Sequence, residues 1–262
     1  MESSEASSLA QGLRIVRVVA DREKWGRPLY GVTQIAADLG LDRSRVSRLT
    51  QELCDLRLLE RVERGPFRPG AAFFTLAASL NTGWAHESRA ELQRIEASLG
   101  LPGKLSVLDG ARVILVRSSA GHGALAGSIH PGMVTPVWCT GSGRALLWDH
   151  TAQGITEVLD DVEFIGVGGP QAAHSAAEVS ALMERDHTRG CVYAVEEFEH
   201  GVHEIAVPIR NPEGRIVASL CVYGGRDGFE GRLEEIRTEL EESARTLSAA
   251  SPAQGPPSSS GT

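Results

Sequence analysis

Near the amino terminus, apolar residues recur at helical spacing in three successive segments. The break over residues 21–28 ends the first segment. The second covers residues 32–39 and stops at Gly40, a residue suited to the left-handed conformation that closes a helix. The third, over residues 43–56, follows Asp42, whose carboxylate can accept from the free amides of a first helical turn. Two short helices around a tight turn predict a helix-turn-helix unit.

The segment after the third helix predicts a short hairpin and then another helix. In residues 58–70, Leu59 and Val62 are expected to point inward, and Gly65-Pro66 makes the turn. A hairpin in this position is a wing. The apolar run that follows predicts a linker helix over residues 71–84. Because this helix is too apolar to remain exposed, we expect it to pack on a partner.

The carboxyl-terminal half mixes strand and helix patterns, which predicts an α+β fold for the chain. Helical patterns cover residues 86–100, 174–190 and 229–249, and a further helix starts within 142–150. Strand patterns cover residues 104–110, 111–119, 202–210 and 215–224, with turns at Asp109-Gly110 and at 211–214. Residues 249–262 are rich in Pro, Ser and Gly and have too little apolar surface to fold, so we expect a disordered tail.

The charge of the chain is divided unevenly along its length. The formal net charge is −8, which by itself disfavours a nucleic-acid binder. Residues 1–80, however, hold 12 basic and 10 acidic residues, whereas the remainder holds 14 basic and 24 acidic residues. Seven arginines lie between Arg43 and Arg68. A small basic module joined to a larger acidic one is the favoured interpretation, and uneven surface charge by chance is the alternative.

Composition and cysteine spacing restrict the class of protein. The chain is 42% hydrophobic and 23% charged, as expected of a globular protein, and no apolar run approaches the ~20 residues that cross a bilayer. The amino terminus lacks the layout of a secretory signal. The four cysteines lie far apart without a C-x-x-C pair, which argues against a disulfide framework and a thiolate zinc site. We therefore expect a cytoplasmic protein without a membrane partner.

The third helix predicts a DNA-reading surface. The first turns of a recognition helix present their outward side chains to base edges in the major groove. The candidate base-reading residues are Arg43, Ser44, Arg45, Ser47 and Arg48. Arg64 and Arg68, on the predicted hairpin, could meet phosphate or the minor groove. The alternative is a solvated, arginine-rich face on a structural helix; the order of turn, arginine-rich helix and hairpin favours DNA.

Taken together, these segments resemble the IclR family of bacterial transcriptional regulators. The resemblance begins at SLAQGLRIVRVV (8–19), continues through VTQIAADLGLDRSRVSRLTQEL (32–53) and includes FRPG (67–70), where the family usually has Tyr-Arg-Leu-Gly. In the second half, GMVTPVWCTGSGRALL (132–147) and RGCVYAVEEFEHGVHEIAVPIRNPEGRIVASLCVYG (189–224) are similar to family segments. The resemblance covers about residues 8–248.

The resemblance implies a domain order and a set of partners. It implies a winged helix-turn-helix domain over residues 8–70, the linker helix over 71–84, and a GAF/PAS-like α/β effector-binding domain over 85–248. It also implies homodimers or homotetramers on double-stranded DNA, with a near-palindromic operator. A small organic effector would bind in the second domain and act by binding two arrangements of the protein unequally. No cofactor is implied.

The resemblance also places an effector pocket, in which this chain departs from the family pattern. Peptide amides at Gly141 and Ser142 replace a Gly-Ala pair, and Ala194 or Val195 stands where the family has an acidic residue. Glu204 replaces a cysteine, and Cys221 and Tyr223 replace two serines. We hypothesise an aromatic acid, amide or hydrazide as effector, with Tyr223 and Trp138 as walls and Glu204 accepting from a nitrogen. Alternatively, Glu204 faces solvent or pairs with an arginine.

Three other interpretations remain. Glu196, Glu197, His200, His203 and Glu204 form a His/Glu cluster with histidines three apart, but no helical H-E-x-x-H frame supports a zinc site. TGSG (140–143) lacks the full nucleophile elbow and assignable partners, so we assign no catalytic residue and no metal ligand. The competing class of protein is a small-molecule sensor or enzyme whose basic module mediates protein contacts.

Overall fold

The computed structural model of the chain describes residues 7–24, 26–63, 65–79, 83–119 and 129–250. These residues form two compact units, which divide between residues 81 and 82. The dividing point falls inside the segment predicted as a linker. Each unit has its own apolar core and is described separately.

The amino-terminal unit contains four helices and a two-stranded sheet within the described residues. The elements are α1 (Ser8–Lys24), α2 (Val32–Leu39), α3 (Arg43–Asp55), β1 (Leu59–Arg61), β2 (Phe67–Pro69) and α4 (Ala72–Ser79). This is the predicted helix-turn-helix followed by a wing. The break expected to begin at residue 21 was placed too early, because α1 continues to Lys24.

The turn between α2 and α3 is built as expected except at its cap. Gly40 ends α2 in the left-handed conformation, with φ of 64°, and its peptide N–H donates to the carbonyl of Ala36. Asp42 occupies the N-cap position of α3, but its side chain makes no capping hydrogen bond. The turn is therefore held by backbone geometry and by the apolar residues beneath it.

Apolar side chains from every element of the helix-turn-helix and wing meet in one core. The buried members are Ile15, Val19, Ile35, Ala36, Val46, Leu49, Leu53, Leu59 and Phe67. The wing strands pair antiparallel, with Glu60 opposite Arg68. After β2 the chain passes so close to the carbonyl of Arg57 that a Cβ at Gly70 would lie 2.2 Å from that oxygen. Only glycine fits there, which fixes how α4 leaves the wing.

The carboxyl-terminal unit is an antiparallel sheet with helices on both faces. Its strands are β3 (Gly103–Asp109), β4 (Arg112–Ser118), β5 (Val134–Pro136), β6 (Val192–Val195), β7 (His203–Arg210) and β8 (Ile216–Gly224). Their order across the sheet is β5-β4-β3-β8-β7-β6. The helices are α5 (Gly83–Leu99), α6 (Gly141–Leu146), α7 (Ala152–Val158), α8 (Ala176–Arg189) and α9 (Leu233–Ala249), with a 3-10 turn at Arg226–Gly228.

Strand alternation divides the side chains of this sheet between two layers. One face, with Leu105, Ile205 and Leu220, packs against α5 and α9 in the larger core. The opposite face, with Val192, Ala206 and Cys221, packs against α6. The central strands thus carry apolar residues on one face and a mixture of small, apolar and charged residues on the other.

Three short elements were not predicted from the sequence. β5 and β6 have only three and four residues, and α7 has seven, so none is long enough to display a period. The helix predicted to end at Gly83 is seen as α4 to Ser79, and Gly83 instead begins α5. Of the expected tail, Ala249 ends α9, and residues 251–262 lie outside the described residues. Among the described residues, no helix is long and apolar enough to span a membrane.

Candidate DNA-binding and effector-binding sites

The helix α3 exposes one row of polar side chains. Ser44, Ser47 and Arg48 are exposed at helical spacing, while Val46 and Leu49 on the opposite side are buried. Arg43 is also exposed, at the start of the helix. Because α3 is the second helix of the helix-turn-helix, this row is the surface that such units place in the major groove.

Two of the other predicted DNA contacts, Arg45 and Arg68, are less free to meet DNA than this row. Arg45 is half-buried, and its Nε atom is buried without a hydrogen-bond partner among the described residues. Arg68 is exposed on the wing and donates from Nη2 to Oε1 of Glu60 at 2.8 Å. Arg68 would have to exchange this partner to meet a phosphate. Arg64 lies outside the described residues.

A further exposed position on the same row was not predicted from the sequence. Gln51 lies one turn beyond Ser47 and Arg48 and donates to Asp55 at 3.0 Å. A glutamine amide can pair with adenine in the major groove. Its helical spacing from Ser44 was the available signal.

In the carboxyl-terminal unit, a buried ion pair stands on the sheet face beneath α6. Lys104, on the central strand β3, donates to Oε1 of Glu204 on β7, and both side chains are almost fully buried. The other carboxylate oxygen of Glu204 accepts from the peptide N–H of Gly141 at 2.5 Å. Glu204 is therefore neither solvated nor paired with an arginine. Its partner, Lys104, was not foreseen, since it is distant in sequence.

The predicted pocket residues on these strands do come together. Ala194 pairs with Glu204 across β6 and β7, and Glu204 pairs with Tyr223 across β7 and β8. A Cβ at Gly141 would lie 3.6 Å from that of Ala194 and 3.0 Å from that of Glu204. Cys221 lies on the same face, opposite Lys104. The small residues Gly141 and Ala194 leave the room that the Glu204 side chain fills.

The charge environment of this face follows from its burial. Burial lowers the pKa of Lys104, but the adjacent Glu204 carboxylate outweighs it, and the net shift is upward, which keeps the ammonium charged. Burial and the Glu204 charge together raise the pKa of the Cys221 thiol to about 12, so it stays a thiol. Burial likewise raises the pKa of Tyr223. The face thus carries one compensated ion pair and neutral neighbours.

A narrow cavity adjoins the ion pair. Its volume is about 20 Å³, room for about one water molecule in this arrangement of the side chains. It is lined by Lys104, Ser106, Val113, Leu115, Ile129, Met133, Thr135, Thr140, Ser142 and Phe198. The mixture of apolar walls and a few polar groups is the lining expected of a small-molecule site, but a ligand larger than water would have to widen the cavity.

One wall of this cavity carries a buried hydroxyl whose nearest polar neighbour among the described residues is a thiol. The Ser142 hydroxyl is buried and makes no hydrogen bond to an oxygen or nitrogen of the described residues, although it lies beside the Cys221 thiol. A buried polar group without a partner costs free energy, so it favours a ligand that supplies one.

Trp138 lies apart from this cavity. Its ring packs against Phe164, with centroids 5.1 Å apart, in the core beneath α7 and α8. Of the seven predicted effector contacts, only Ser142 belongs to the cavity lining. The other six are Trp138, Gly141, Ala194, Glu204, Cys221 and Tyr223. Five of these lie on or against the sheet face that carries Lys104 and Glu204, and Trp138 belongs to the core.

The His/Glu cluster of the sequence is dispersed by the fold. Glu197 pairs with the buried Arg144, and Nδ1 of His203 lies 3.0 Å from the hydroxyl of Tyr193. His200 is exposed beside Glu196. In the part of the chain that the structure describes, no three potential ligands converge on a metal position.

Comparison with known proteins agrees with both units. The family model described as "IclR helix-turn-helix domain" matches residues 8–63, and that described as "Bacterial transcriptional regulator IclR C-terminal" matches residues 78–249. The Pca regulon regulatory protein of Pseudomonas putida is 24% identical over 238 residues, 90% of this chain and 78% of that protein. The HTH-type transcriptional regulator Rv1719 of Mycobacterium tuberculosis is 26% identical over 253 residues, 92% and 93% of the two chains.

A solved structure shares the fold. An IclR homolog from Microbacterium hydrocarbonoxydans, complexed with 4-hydroxybenzoate, has a TM-score of 0.79 at 22% identity and covers 93% of this chain and 98% of its own. The helix-turn-helix, the wing and the helix-covered sheet with its cavity define a DNA-binding transcriptional regulator with an effector-binding domain. The chain belongs to the IclR family, whose members are regulators rather than enzymes.

Proposed function

We propose that this protein is a repressor of genes for small-molecule catabolism, released from its operator by a small organic effector. The observation that carries this proposal is the exposed row of Ser44, Ser47 and Arg48 on the second helix of a winged helix-turn-helix. A row of polar side chains on that helix has the position and chemistry to read base edges.

Within this proposal the arginines have different tasks. Arg43, Arg45 and Arg48 read guanine in the major groove, where each well-placed pair discriminates by about 1–3 kcal/mol. Arg64 and Arg68 on the wing contact phosphate and fix the register. Arg68 leaves Glu60 to do so, which costs little because that pair is exposed.

The regulator acts as a homodimer or homotetramer on a near-palindromic operator, because a two-fold dimer presents two recognition helices about one helical turn apart. Residues 8–70 bind DNA, 71–84 link the domains and 85–248 bind the effector. We propose that the protein is cytoplasmic, because its operator DNA lies in the cytoplasm.

We propose an aromatic acid, amide or hydrazide as the effector. The support is the cavity beside Lys104 and Ser142, with its apolar walls and buried hydroxyl. The Pca regulon regulatory protein and the 4-hydroxybenzoate complex among the similar proteins favour an aromatic ligand. In this proposal Trp138 supports the core and does not contact the effector. Tyr223 and Glu204 lie on the sheet face next to Lys104, which lines the cavity.

The proposal is tested by binding to the DNA upstream of this protein's own gene, with a shuffled fragment for comparison, across a salt series. We expect specific binding that weakens steeply with salt as counterions are released. Arg48→Ala should lower the preference for the specific fragment by roughly tenfold or more, the loss of one base-reading pair.

Arg112→Ala is the matched control, since Arg112 is an exposed arginine of the other unit, paired with Asp109. It should leave both affinity and preference unchanged. If R48A and the wild type bind alike, α3 is not the reading surface. If neither binds any fragment at low salt, the basic module serves protein contacts instead.

A further inference from the structure

The Glu204 carboxylate occupies an anion-binding position that the protein itself builds. One oxygen accepts from the ammonium of Lys104, and the other accepts from the peptide N–H of Gly141 at 2.5 Å. The approach is close: a Cβ at Gly141 would lie 3.1 Å from the carboxylate oxygen. A charged donor and a peptide donor converging on two oxygens is how proteins hold a carboxylate.

We propose that Glu204 is a tethered carboxylate ligand that fills this position permanently, and that the effector is consequently a molecule without a free carboxylate. Among the proposed aromatic compounds, this selects the amides and hydrazides. The inference rests on the proposed role of the cavity as the effector site. It makes Glu204 and Lys104 the residues that determine effector class.

The first reason is charge balance. Lys104 and Glu204 neutralise one another, and Lys104 is the sole charged side chain among the described residues that line the cavity. A carboxylate entering beside Lys104 would meet a cation already paired with another carboxylate. Two carboxylates sharing one buried site cannot both remain ionised without penalty. A neutral ligand avoids this penalty.

The second reason is the set of hydrogen-bonding groups that remains. The ammonium of Lys104 has three donors, of which Glu204 takes one, and Nζ lies 5.3 Å from the centre of the Tyr223 ring. Among the described residues, the Ser142 hydroxyl has no oxygen or nitrogen partner and lies beside the Cys221 thiol. A carbonyl oxygen can accept from Lys104 while an amide or hydrazide N–H donates to Ser142. Because the Ser142 hydroxyl can donate as well as accept, this contact suits an amide or hydrazide, and the exclusion of a carboxylate rests on charge balance.

Removal of the internal ligand gives a direct test. Glu204→Ala deletes Cγ, Cδ and both oxygens, which are the heavy atoms of acetate. We expect the full-length E204A variant to melt below the wild type and to regain stability saturably when sodium acetate is added. Sodium chloride at equal ionic strength should not reproduce the gain, and the wild type should show no saturable response to acetate.

The double variant Lys104→Met/Glu204→Ala is the control for the site. It has the same hole without the ammonium and should not respond to acetate. If E204A responds no more than the wild type or the double variant, Glu204 does not fill an anion site and the inference is overturned. An acetate response in the wild type would overturn it equally, since the position would then be open.

A second measurement needs no variant and remains decisive if E204A does not fold. Calorimetric titration of the wild type with benzoate, benzamide and benzohydrazide compares matched ligands. Benzamide or benzohydrazide should bind at least about tenfold more tightly than benzoate, corresponding to about 1.4 kcal/mol. Tighter binding of benzoate overturns the inference while leaving an aromatic effector in place. If none of the three binds, the inference fails for these aromatic ligands together with the proposed effector class, whereas DNA binding is tested separately.

Discussion

At the scale of single residues, buried charge organises the carboxyl-terminal unit. Arg144 on α6 is completely buried, and its Nε donates to Asp186 of α8 at 2.7 Å. Its Nη1 donates to Glu197, just after β6. Burial raises the pKa of Glu197, although Arg144 acts in the opposite direction. This one guanidinium therefore ties together three elements that are distant in sequence.

Replacing Arg144 should be costly because it strands two buried carboxylates. We expect Arg144→Met to lower the free energy of unfolding by about 3–5 kcal/mol, as when one partner of a buried pair is removed. Urea unfolding of the purified protein measures this. Arg210→Met is the control, since Arg210 forms a similar two-point pair with Asp149 at the surface and should cost at most about 1 kcal/mol. Equal losses of unfolding free energy in the two variants would show that burial does not make the Arg144 pairs more important for stability than the surface pair.

At the scale of elements, the position of α6 depends on a very close approach to the preceding chain. A Cβ at Gly143 would lie 2.0 Å from the carbonyl oxygen of Val137. The peptide N–H of Gly143 also donates to the hydroxyl oxygen of Thr140 at 3.0 Å, which caps the helix. Glycine at this position lets α6 lie against Val137 and hold Gly141 and Ser142 over the sheet.

Gly143→Ala should therefore displace α6 and weaken the protein. We expect a loss of about 1–3 kcal/mol in the free energy of unfolding, typical of overpacking, and weaker binding in the cavity beside Ser142. Gly154→Ala in α7 is the matched control, because its Cβ would meet neighbours no closer than 3.5 Å. That change should be neutral or stabilise by up to about 1 kcal/mol, through helix propensity. Thermal and urea unfolding of both variants check the difference, and a G143A protein as stable as G154A would contradict it.

At the scale of the whole molecule, the amino-terminal unit leaves apolar side chains exposed. Phe74 on α4 is 82% exposed, and Leu9 and Leu13 on α1 are 74% and 56% exposed. An apolar surface of this kind on a small unit is typical of a surface that another chain covers. Together with the two-fold operator that we propose, it favours self-association through α1 and α4.

Phe74→Ser should weaken that self-association. Covering a phenylalanine is worth about 1.5–3 kcal/mol, so the dissociation constant of the proposed dimer should rise roughly tenfold or more. Light scattering during dilution measures it. Ile165→Ser, an exposed apolar residue of the carboxyl-terminal unit at 72%, is the control and should leave the constant unchanged. Unaltered assembly of F74S would place the contact elsewhere.

The helix-turn-helix was predictable from the sequence because its determinants are local. Val32 and Ile35 recur at the helical period in α2, Val46 and Leu49 do so in α3, and Gly40 marks the turn between the two helices. The long strands β7 and β8 were predictable for the same reason. Elements of three to seven residues, such as β5, β6 and α7, show too few positions to reveal a period, and only their pairing or packing in the fold defines them.

The sequence by itself therefore determined the order of the two units, the helix-turn-helix and the long strands β7 and β8, and the family resemblance grouped Ala194, Glu204 and Tyr223. Only the tertiary structure determined the charge on the sheet face that carries these residues, because β3 places Lys104 against Glu204, 100 positions away in the sequence. The tertiary structure also places Trp138 in the core against Phe164 and pairs Arg144 with Asp186 and Glu197. Periodicity reports which side of a strand or helix is buried, whereas the partner of a buried charge depends on which strands become neighbours.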